Sequence, residues 1–85
     1  MLLDVYRVPR RKYDGELHIL KFSIPREALL ISKVFTKTGY QCKLYHGDLI
    51  VEIKTVANPS LSVESIKRVI VSYGIAMDEN LEVET

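Results

Sequence analysis

Cysteine is almost absent from this sequence, because Cys42 is the only one among 85 residues, and prolines and glycines number three and four. A single cysteine excludes a disulfide within the chain. No stretch is long and apolar enough to span a bilayer or to serve as a signal peptide. We therefore expect a cytoplasmic protein without a membrane partner.

Residues that converge in active sites are also scarce. The two histidines, His18 and His46, fall on different predicted strands, and Cys42 takes an inward position where it acts as a small hydrophobic residue. No CxxC, HExxH or glycine-rich phosphate-binding motif occurs. We therefore predict no enzymatic activity, catalytic residue, cofactor or metal. The enzymatic alternative is an active site shared across a dimer interface, where His18 or His46 meets a carboxylate of the other chain.

The composition is that of one folded domain spanning residues 1–85. Hydrophobic residues make up 47% of the chain, which argues against disorder, and the formal net charge is only +1. A domain of this length buries a smaller share of its surface than a larger protein does, so it often depends on a partner.

The charge is unevenly distributed, with a basic cluster near the start and an acidic run at the end. Residues 1–14 are predicted to form a basic extended arm, in which the packing of Leu2, Val5 and Val8 is left open. Such a cluster is typical of a solvated chain end, and contact with nucleic acid is the alternative. The basic residues are Arg7, Arg10, Arg11 and Lys12. The acidic residues are Asp78, Glu79, Glu82 and Glu84.

The segment CKLYHGDLIVEIK, residues 42–54, carries the clearest structural signal. Apolar residues alternate on both sides of the central Gly-Asp, which suits a two-residue hairpin turn because glycine tolerates positive φ. Such a turn places Leu44 opposite Val51 and Tyr45 opposite Ile50, so each face of the hairpin is consistent. A slip of one residue would mix the two faces, and the pattern therefore predicts its own register.

A strand and a helix are predicted before this hairpin. From Glu16 the run ELHILKFSI alternates as a strand does, and Pro25 ends it. The run REALLISKVFTKTG then has apolar residues at helical spacing, and a proline at the first helical position loses no hydrogen bond. Gly39 is expected to end the helix. Its predicted inward residues are Ala28, Ile31, Val34, Phe35 and Thr38.

The segment after the hairpin predicts a second helix, because apolar residues recur every three or four positions from Val63 to Leu81. This helix starts after Asn58 or after Ser62, and we favour its continuation past Gly74. The predicted fold class is α+β, with a three-stranded antiparallel sheet and both helices on one face, in the order β-α-β-β-α. A break at Gly74 followed by a fourth strand is the ferredoxin-like alternative, β-α-β-β-α-β.

Two surfaces carry more apolar side chains than a monomer of this size can cover, namely the sheet face opposite the helices and the backs of the helices. The predicted residues for association through the sheet face are Leu17, Ile19, Tyr45 and Ile50. The predicted residues for docking a partner on the helices are Leu29, Leu30, Val69 and Val71. The sequence therefore predicts that this chain associates with other protein chains.

Three features together resemble a known family from Glu16 onward. They are a strand that ends in proline and opens a helix (LKFSIPREALLISKVF), a hairpin of the form KLxxGxLIVxIK, and a helix that follows Ser-Leu (SLSVESIKRVIVSY). In their pattern and order they are similar to the small Pcc subunit of the KEOPS complex, a family that also includes the cancer/testis antigen proteins.

The resemblance implies a non-catalytic subunit that dimerises and docks its helices on the catalytic threonylcarbamoyl-transferase subunit. The complex attaches a threonylcarbamoyl group to the adenosine beside the anticodon of certain tRNAs, and the small subunit assists tRNA binding. The resemblance also implies three strands, two helices and an uninterrupted last helix.

The sequence departs from this family in the last helix, where Val63 and Lys67 occupy places at which members tend to carry Arg and Asn. The link between the first helix and the hairpin is also shorter. A standard member of the family, which forms a homodimer, and a diverged paralogue, which forms a heterodimer with a related small subunit, agree with these departures about equally well.

A stand-alone RNA- or DNA-binding module is the alternative from a different functional class. It would combine the basic cluster with the sheet lysines Lys21, Lys43 and Lys54. Against it, the predicted sheet offers only Tyr45 for base stacking, whereas sheet-based RNA-binding domains usually present several aromatic residues.

Overall fold

The computed structural model describes residues 1–9, 16–55 and 61–82. The secondary structure elements, in chain order, are β1 (Leu2–Pro9), β2 (Glu16–Phe22), α1 (Pro25–Lys37), β3 (Gln41–Tyr45), β4 (Ile50–Thr55), α2 (Val63–Ser72) and α3 (Glu79–Glu82). The predicted α+β class is confirmed.

The strands form one antiparallel sheet in the spatial order β1-β2-β4-β3. The predicted three-stranded sheet is therefore wrong by one strand, because β1 comes from the segment that we expected to be an extended arm. Leu2 and Val5 are both buried although they lie three positions apart, which breaks the alternation of a regular strand. A bulge between Leu2 and Asp4 reconciles them, since an extra residue moves the following side chains to the other face.

The hairpin of β3 and β4 has the predicted register, with Leu44 opposite Val51 and Tyr45 opposite Ile50. Its turn is wider than predicted. His46 adopts a positive φ of 53° in addition to the central Gly-Asp pair, and the N–H of Leu49 donates to the carbonyl of Tyr45 at 3.1 Å. The loop between the paired strands is therefore one residue longer on each side than predicted. Each strand residue still points to the predicted face of the sheet.

Helix α1 begins and ends where the sequence predicts. Pro25 takes the first helical position, and the chain leaves the helix at Thr38, whose N–H donates to the carbonyl of Phe35 at 3.2 Å. The buried side of the helix differs slightly from the prediction, since Ser32 is buried and Thr38 is exposed. Its buried residues are Ala28, Ile31, Ser32 and Phe35.

Helix α2 starts after Ser62, whose hydroxyl oxygen accepts a hydrogen bond from the N–H of Ser65 at 3.1 Å. This is one of the two predicted starts; the other, Asn58, lies outside the described residues. The predicted continuation past Gly74 is wrong. The helix ends at Ser72, because Gly74 has a φ of 75°, in the left-handed region that an α-helix does not use.

Between residues 75 and 82, the part of the last segment that the structure describes, the chain returns to the sheet without forming the ferredoxin-like fourth strand. It makes a single parallel bridge between Met77 and Leu2 before the one-turn helix α3. In this bridge the N–H of Leu2 donates to the carbonyl of Ala76, and the N–H of Asp78 donates to the carbonyl of Leu2, both at 2.8 Å. The outer edge of β1 is thus partly covered by the chain itself.

Both long helices lie on one face of the sheet, as predicted, and share one core with it. Helix α1 packs over β2, β3 and β4, while α2 packs over β1. The largest fully buried side chains are Leu2, His18, Leu20, Phe22, Ile31, Val51, Ile53, Ile66 and Ile70. The opposite face of the sheet is covered by none of the described elements, so the surfaces of interest are that face and the backs of the helices.

Candidate interaction surfaces

The four predicted sheet-face residues lie together on the face opposite the helices, which we call the outer sheet face. Leu17, Ile19 and Ile50 are half-buried by their neighbours, and Tyr45 is exposed. Ile50 is opposite Tyr45 on one side and opposite Lys21 on the other. Since paired residues point to the same side of a sheet, this surface extends continuously across the central strands.

Strand β1 adds residues to the outer sheet face that the sequence analysis did not assign. Tyr6 is opposite Ile19, and Val8 is opposite Leu17. The ammonium of Lys21 lies over the ring of Tyr6, 5.9 Å from its centroid. The β-branched and aromatic residues Val5, Tyr6 and Val8, which are typical of strands, were the available signal, but the adjacent basic cluster favoured an arm.

Charged side chains surround these apolar residues. Lys43 lies opposite Glu52, and Lys54 approaches the same carboxylate at 3.8 Å. Lys21 and Asp4 form another pair of opposite charge across the β1–β2 pairing. The outer sheet face is thus mixed in character, as non-obligate protein interfaces are, rather than apolar throughout like a core.

Three of the four predicted helix residues are exposed on the backs of the helices. The exposed fractions are 43% for Leu29, 40% for Leu30 and 55% for Val71. Val69, in contrast, packs against the core. It lies three positions after the buried Ile66, which places it on the same side of the helix.

A groove of about 440 Å³ separates α1 from the end of α2. Its apolar residues are Leu30 and Val34 of α1 and Tyr73, which follows α2; its charged residues are Lys33 and Lys37. None of the described residues that line it is acidic. We refer to this feature as the interhelix groove.

A second groove, of about 430 Å³, runs between α2 and α3 and has an apolar floor of Val71, Met77 and Leu81. At its side lies Lys67, which is only 9% exposed. Its ammonium donates to the carbonyl of Leu81 at 3.1 Å and lies 3.9 Å from a carboxylate oxygen of Glu64. Lys67 therefore fastens α3 to α2, a role that the sequence analysis did not anticipate because lysine is rarely buried.

The predicted nucleic-acid residues are only partly described. Arg7 lies on β1, where its guanidinium pairs with the carboxylate of Glu16 at 2.7 Å. Arg10, Arg11 and Lys12 lie outside the described residues. Because Arg7 is already paired, it has less charge to offer a phosphate than an unpaired arginine has.

The histidines are not brought together. His18 is fully buried on the helix side of the sheet, and neither ring nitrogen makes a hydrogen bond with normal geometry. Burial lowers its pKa from 6.5, the carboxylate of Glu16 opposes this shift, and the charge of Arg7 adds to it; the Leu61 backbone raises the pKa slightly. His46 is exposed in the hairpin turn.

Cys42 is half-buried on β3, and burial raises the pKa of its thiol, partly opposed by a hydrogen bond with Thr36. A raised pKa keeps the thiol protonated and unreactive. Within residues 1–9, 16–55 and 61–82, no three His, Cys, Asp or Glu side chains are placed to hold a metal ion.

Comparison with the models of known families, with curated proteins and with solved structures finds no match to this chain. Of the helices in the described part of the chain, none has both the length and the apolar character needed to cross a membrane.

Proposed function

We propose that this chain is a non-catalytic accessory subunit of a KEOPS-like complex that attaches threonylcarbamoyl groups to adenosine in tRNA. Its helices dock on the catalytic threonylcarbamoyl-transferase subunit, and it pairs with a second copy or with a related small subunit. The observation that carries the proposal is the exposure of large aliphatic side chains on the helix layer, above all Leu29, Leu30 and Val71. The sequence resemblance supplies the identity of the complex.

Docking through the helices follows from where these side chains lie. Leu29 and Leu30 are exposed on α1, and Val71 is exposed on α2, where it borders the groove between α2 and α3. Burying apolar surface stabilises association by roughly 25 cal/mol for each Å² removed from water. A partner that covers the exposed sides of both helices would remove these side chains from water.

Pairing with another small subunit is assigned to the outer sheet face. Ile19 and Ile50 occupy neighbouring strands there, and both are flanked by tyrosines, Tyr6 and Tyr45. Tyrosine is enriched in protein interfaces because its ring is apolar while its hydroxyl tolerates water.

Reconstitution of the tRNA-modifying assembly tests helix docking. The double variant Leu30→Asp/Val71→Asp should lose co-purification with the catalytic subunit and should no longer stimulate threonylcarbamoyl transfer. Arg26→Asp, an exposed substitution in the first turn of the same helix, is the matched control and should retain both. Wild-type protein that neither binds the catalytic subunit nor alters transfer would refute the proposal.

Light scattering during size-exclusion chromatography tests the pairing separately. Ile50→Lys on the outer sheet face should convert a dimer into a monomer, whereas Leu30→Asp on the helix layer should leave the dimer intact. A wild-type protein that remains monomeric alone and in the presence of a related small subunit would remove this part of the proposal.

Single-stranded nucleic acid binding on the outer sheet face is a second candidate, which the position of Tyr6 favours. With Tyr45 it gives this face two exposed tyrosines, accompanied by Lys21 and Lys43. Bases stack on such rings, and phosphates attract such lysines. Binding of an oligonucleotide should then weaken steeply with added salt and weaken further in Tyr6→Ala. An affinity that does not change with salt would exclude it.

A further inference from the structure

The described charged residues that line the interhelix groove are all positive. Lys33 and Lys37 line it, and both are exposed. Neither forms an ion pair with the described residues. Lys37 lies in the last turn of α1, where a cation is favourable beside the negative end of the helix dipole. Lys33 lies one turn earlier, beyond most of that effect, so helix stability alone does not account for it.

The two lysines are four positions apart on α1, which places them on one side of the helix, about 6 Å apart along its axis. Leu30 and Val34 repeat with the same spacing and form the apolar wall of the groove. Tyr73 closes the opposite wall and is half exposed. An apolar stripe therefore runs parallel to a row of positive charge.

We infer that the interhelix groove binds an amphipathic helix of a partner protein that carries acidic residues beside its apolar stripe. Leucine-like side chains of that helix fill the space between Leu30, Val34 and Tyr73, and carboxylates spaced by one turn pair with Lys33 and Lys37. A helix fits because the wall formed by α1 repeats with helical spacing, and the ridges of a partner helix can pack between that wall and the ring of Tyr73 at the end of α2. This inference rests on the proposed docking of the helix layer, for which it specifies the chemistry of the partner.

The acidic residues of this chain itself are less suitable for the groove. In the C-terminal segment, the N–H of Asp78 is bonded to Leu2, and the carbonyl of Leu81 is held by Lys67. That segment would have to leave the core before it reached the groove of a second copy. A separate acidic helix meets no such obstacle.

Titration of the full chain with two synthetic helical peptides tests the inference. Both peptides carry one stripe of leucines; one has glutamates on both flanks, and the other has lysines at the same positions. Amide resonances of Lys33, Val34, Lys37 and Tyr73 should shift with the acidic peptide. It should bind about tenfold more tightly than the basic one, and the difference should shrink in high salt.

Charge reversal supplies the variants. Lys33→Glu should abolish the preference between the two peptides, because it leaves one negative and one positive charge at the groove, and Lys37→Gln, a milder change at the helix end, should reduce it. Lys43→Glu, which makes the same change on the outer sheet face, is the control and should leave the preference unaltered. Circular dichroism checks that each variant is folded.

The inference is overturned if neither peptide binds, if both bind equally, or if the shifts fall on the outer sheet face. These outcomes are distinct from failure of the proposed function, because the peptide assay needs no other subunit. If the chain binds the catalytic subunit but not the acidic peptide, the proposed function stands and the inference about the interhelix groove is wrong. If the chain prefers the acidic peptide but does not bind the transferase subunit, the inference about the interhelix groove stands and the proposed function is wrong.

Discussion

Arg7 lies directly opposite His18 across the β1–β2 pair, on the side of the sheet that faces the helices. The arginine is at the rim, where its guanidinium reaches Glu16, whereas the histidine is completely buried and its ring nitrogens lack hydrogen bonds. Protonating His18 would place a charge in the core next to an existing positive charge. The folded protein therefore favours the neutral imidazole.

Stability should consequently decrease in mild acid. The pKa of His18 is lowered in the folded state by burial, so the unfolded chain takes up the proton first, near the ordinary value of 6.5. Below that pH the free energy of unfolding should fall by up to about 1.4 kcal/mol for each pH unit, until the folded state also becomes protonated. Urea denaturation from neutral pH down through this range measures the slope.

Two variants assign the slope to His18. His18→Leu should flatten it and, because buried nitrogens without partners are destabilising, should raise the free energy of unfolding at neutral pH by about 1 kcal/mol. His46→Asn, at the exposed histidine of the turn, should retain the slope. A slope that is the same in His18→Leu as in the wild type would contradict the explanation.

The importance of β1 to the fold is tested by two adjacent leucines. Leu2 is fully buried and Leu3 is 43% exposed, because successive side chains of a strand point to opposite faces of the sheet. Leu2→Ala should lower the free energy of unfolding by about 3 kcal/mol, and Leu3→Ala by less than about 0.5 kcal/mol. Equal small effects in chemical denaturation would mean that the first residues are an arm after all.

The hairpin could be predicted from the sequence and β1 could not, because the two differ in how regular their sequence patterns are. The β3–β4 register follows from strict alternation around Gly47, and the start of α1 follows from Pro25; both signals are local. Strand β1 does not show the alternating pattern of a strand, because its bulge places Leu2 and Val5, three positions apart, on the same face of the sheet. A pattern search with a period of two cannot recover such a strand without its partner.

The candidate surfaces, like the fold, could be predicted only in part from the sequence. Leu17, Ile19, Tyr45 and Ile50 were assigned correctly to one face, because strand alternation alone determines their side. Tyr6 was not assigned to this face, because β1 was not predicted to be a strand. Val69 was placed on the wrong side of α2, because a helix with apolar residues around much of its circumference does not reveal which of them face the sheet.

At the end of α2, the backbone conformation of Gly74 decides whether replacing it with alanine stabilises or destabilises the protein. Gly74 has a φ of 75°, which costs about 1 kcal/mol for a residue with a Cβ, so Gly74→Ala should destabilise the protein. Were the helix continuous, the same substitution would stabilise it by a similar amount. Gly74→Asn is the control, because asparagine tolerates the left-handed region and should lose less. Thermal denaturation of both variants decides between the two backbones.

The attachment of α3 depends on Lys67. Its ammonium donates to the carbonyl of Leu81, and the same segment is held at its other end by the hydrogen bond from the N–H of Asp78 to the carbonyl of Leu2. Lys67→Met removes the charge but keeps the apolar stem packed on α2, so the core, and with it the overall stability, should change little. Loss of the bond to Leu81 should nevertheless loosen the segment locally.

Hydrogen exchange separates these two effects of Lys67→Met. The N–H of Leu81, which donates to the carbonyl of Asp78 at 2.9 Å, should exchange about tenfold faster, while that of Val51 in the central strand should exchange at its original rate. Glu64→Gln is the control, because Glu64 is exposed and 3.9 Å from the ammonium, an ion pair of little energetic weight. Unchanged exchange at Leu81 in Lys67→Met would show that the apolar contacts of Met77 and Leu81 hold the segment without the lysine.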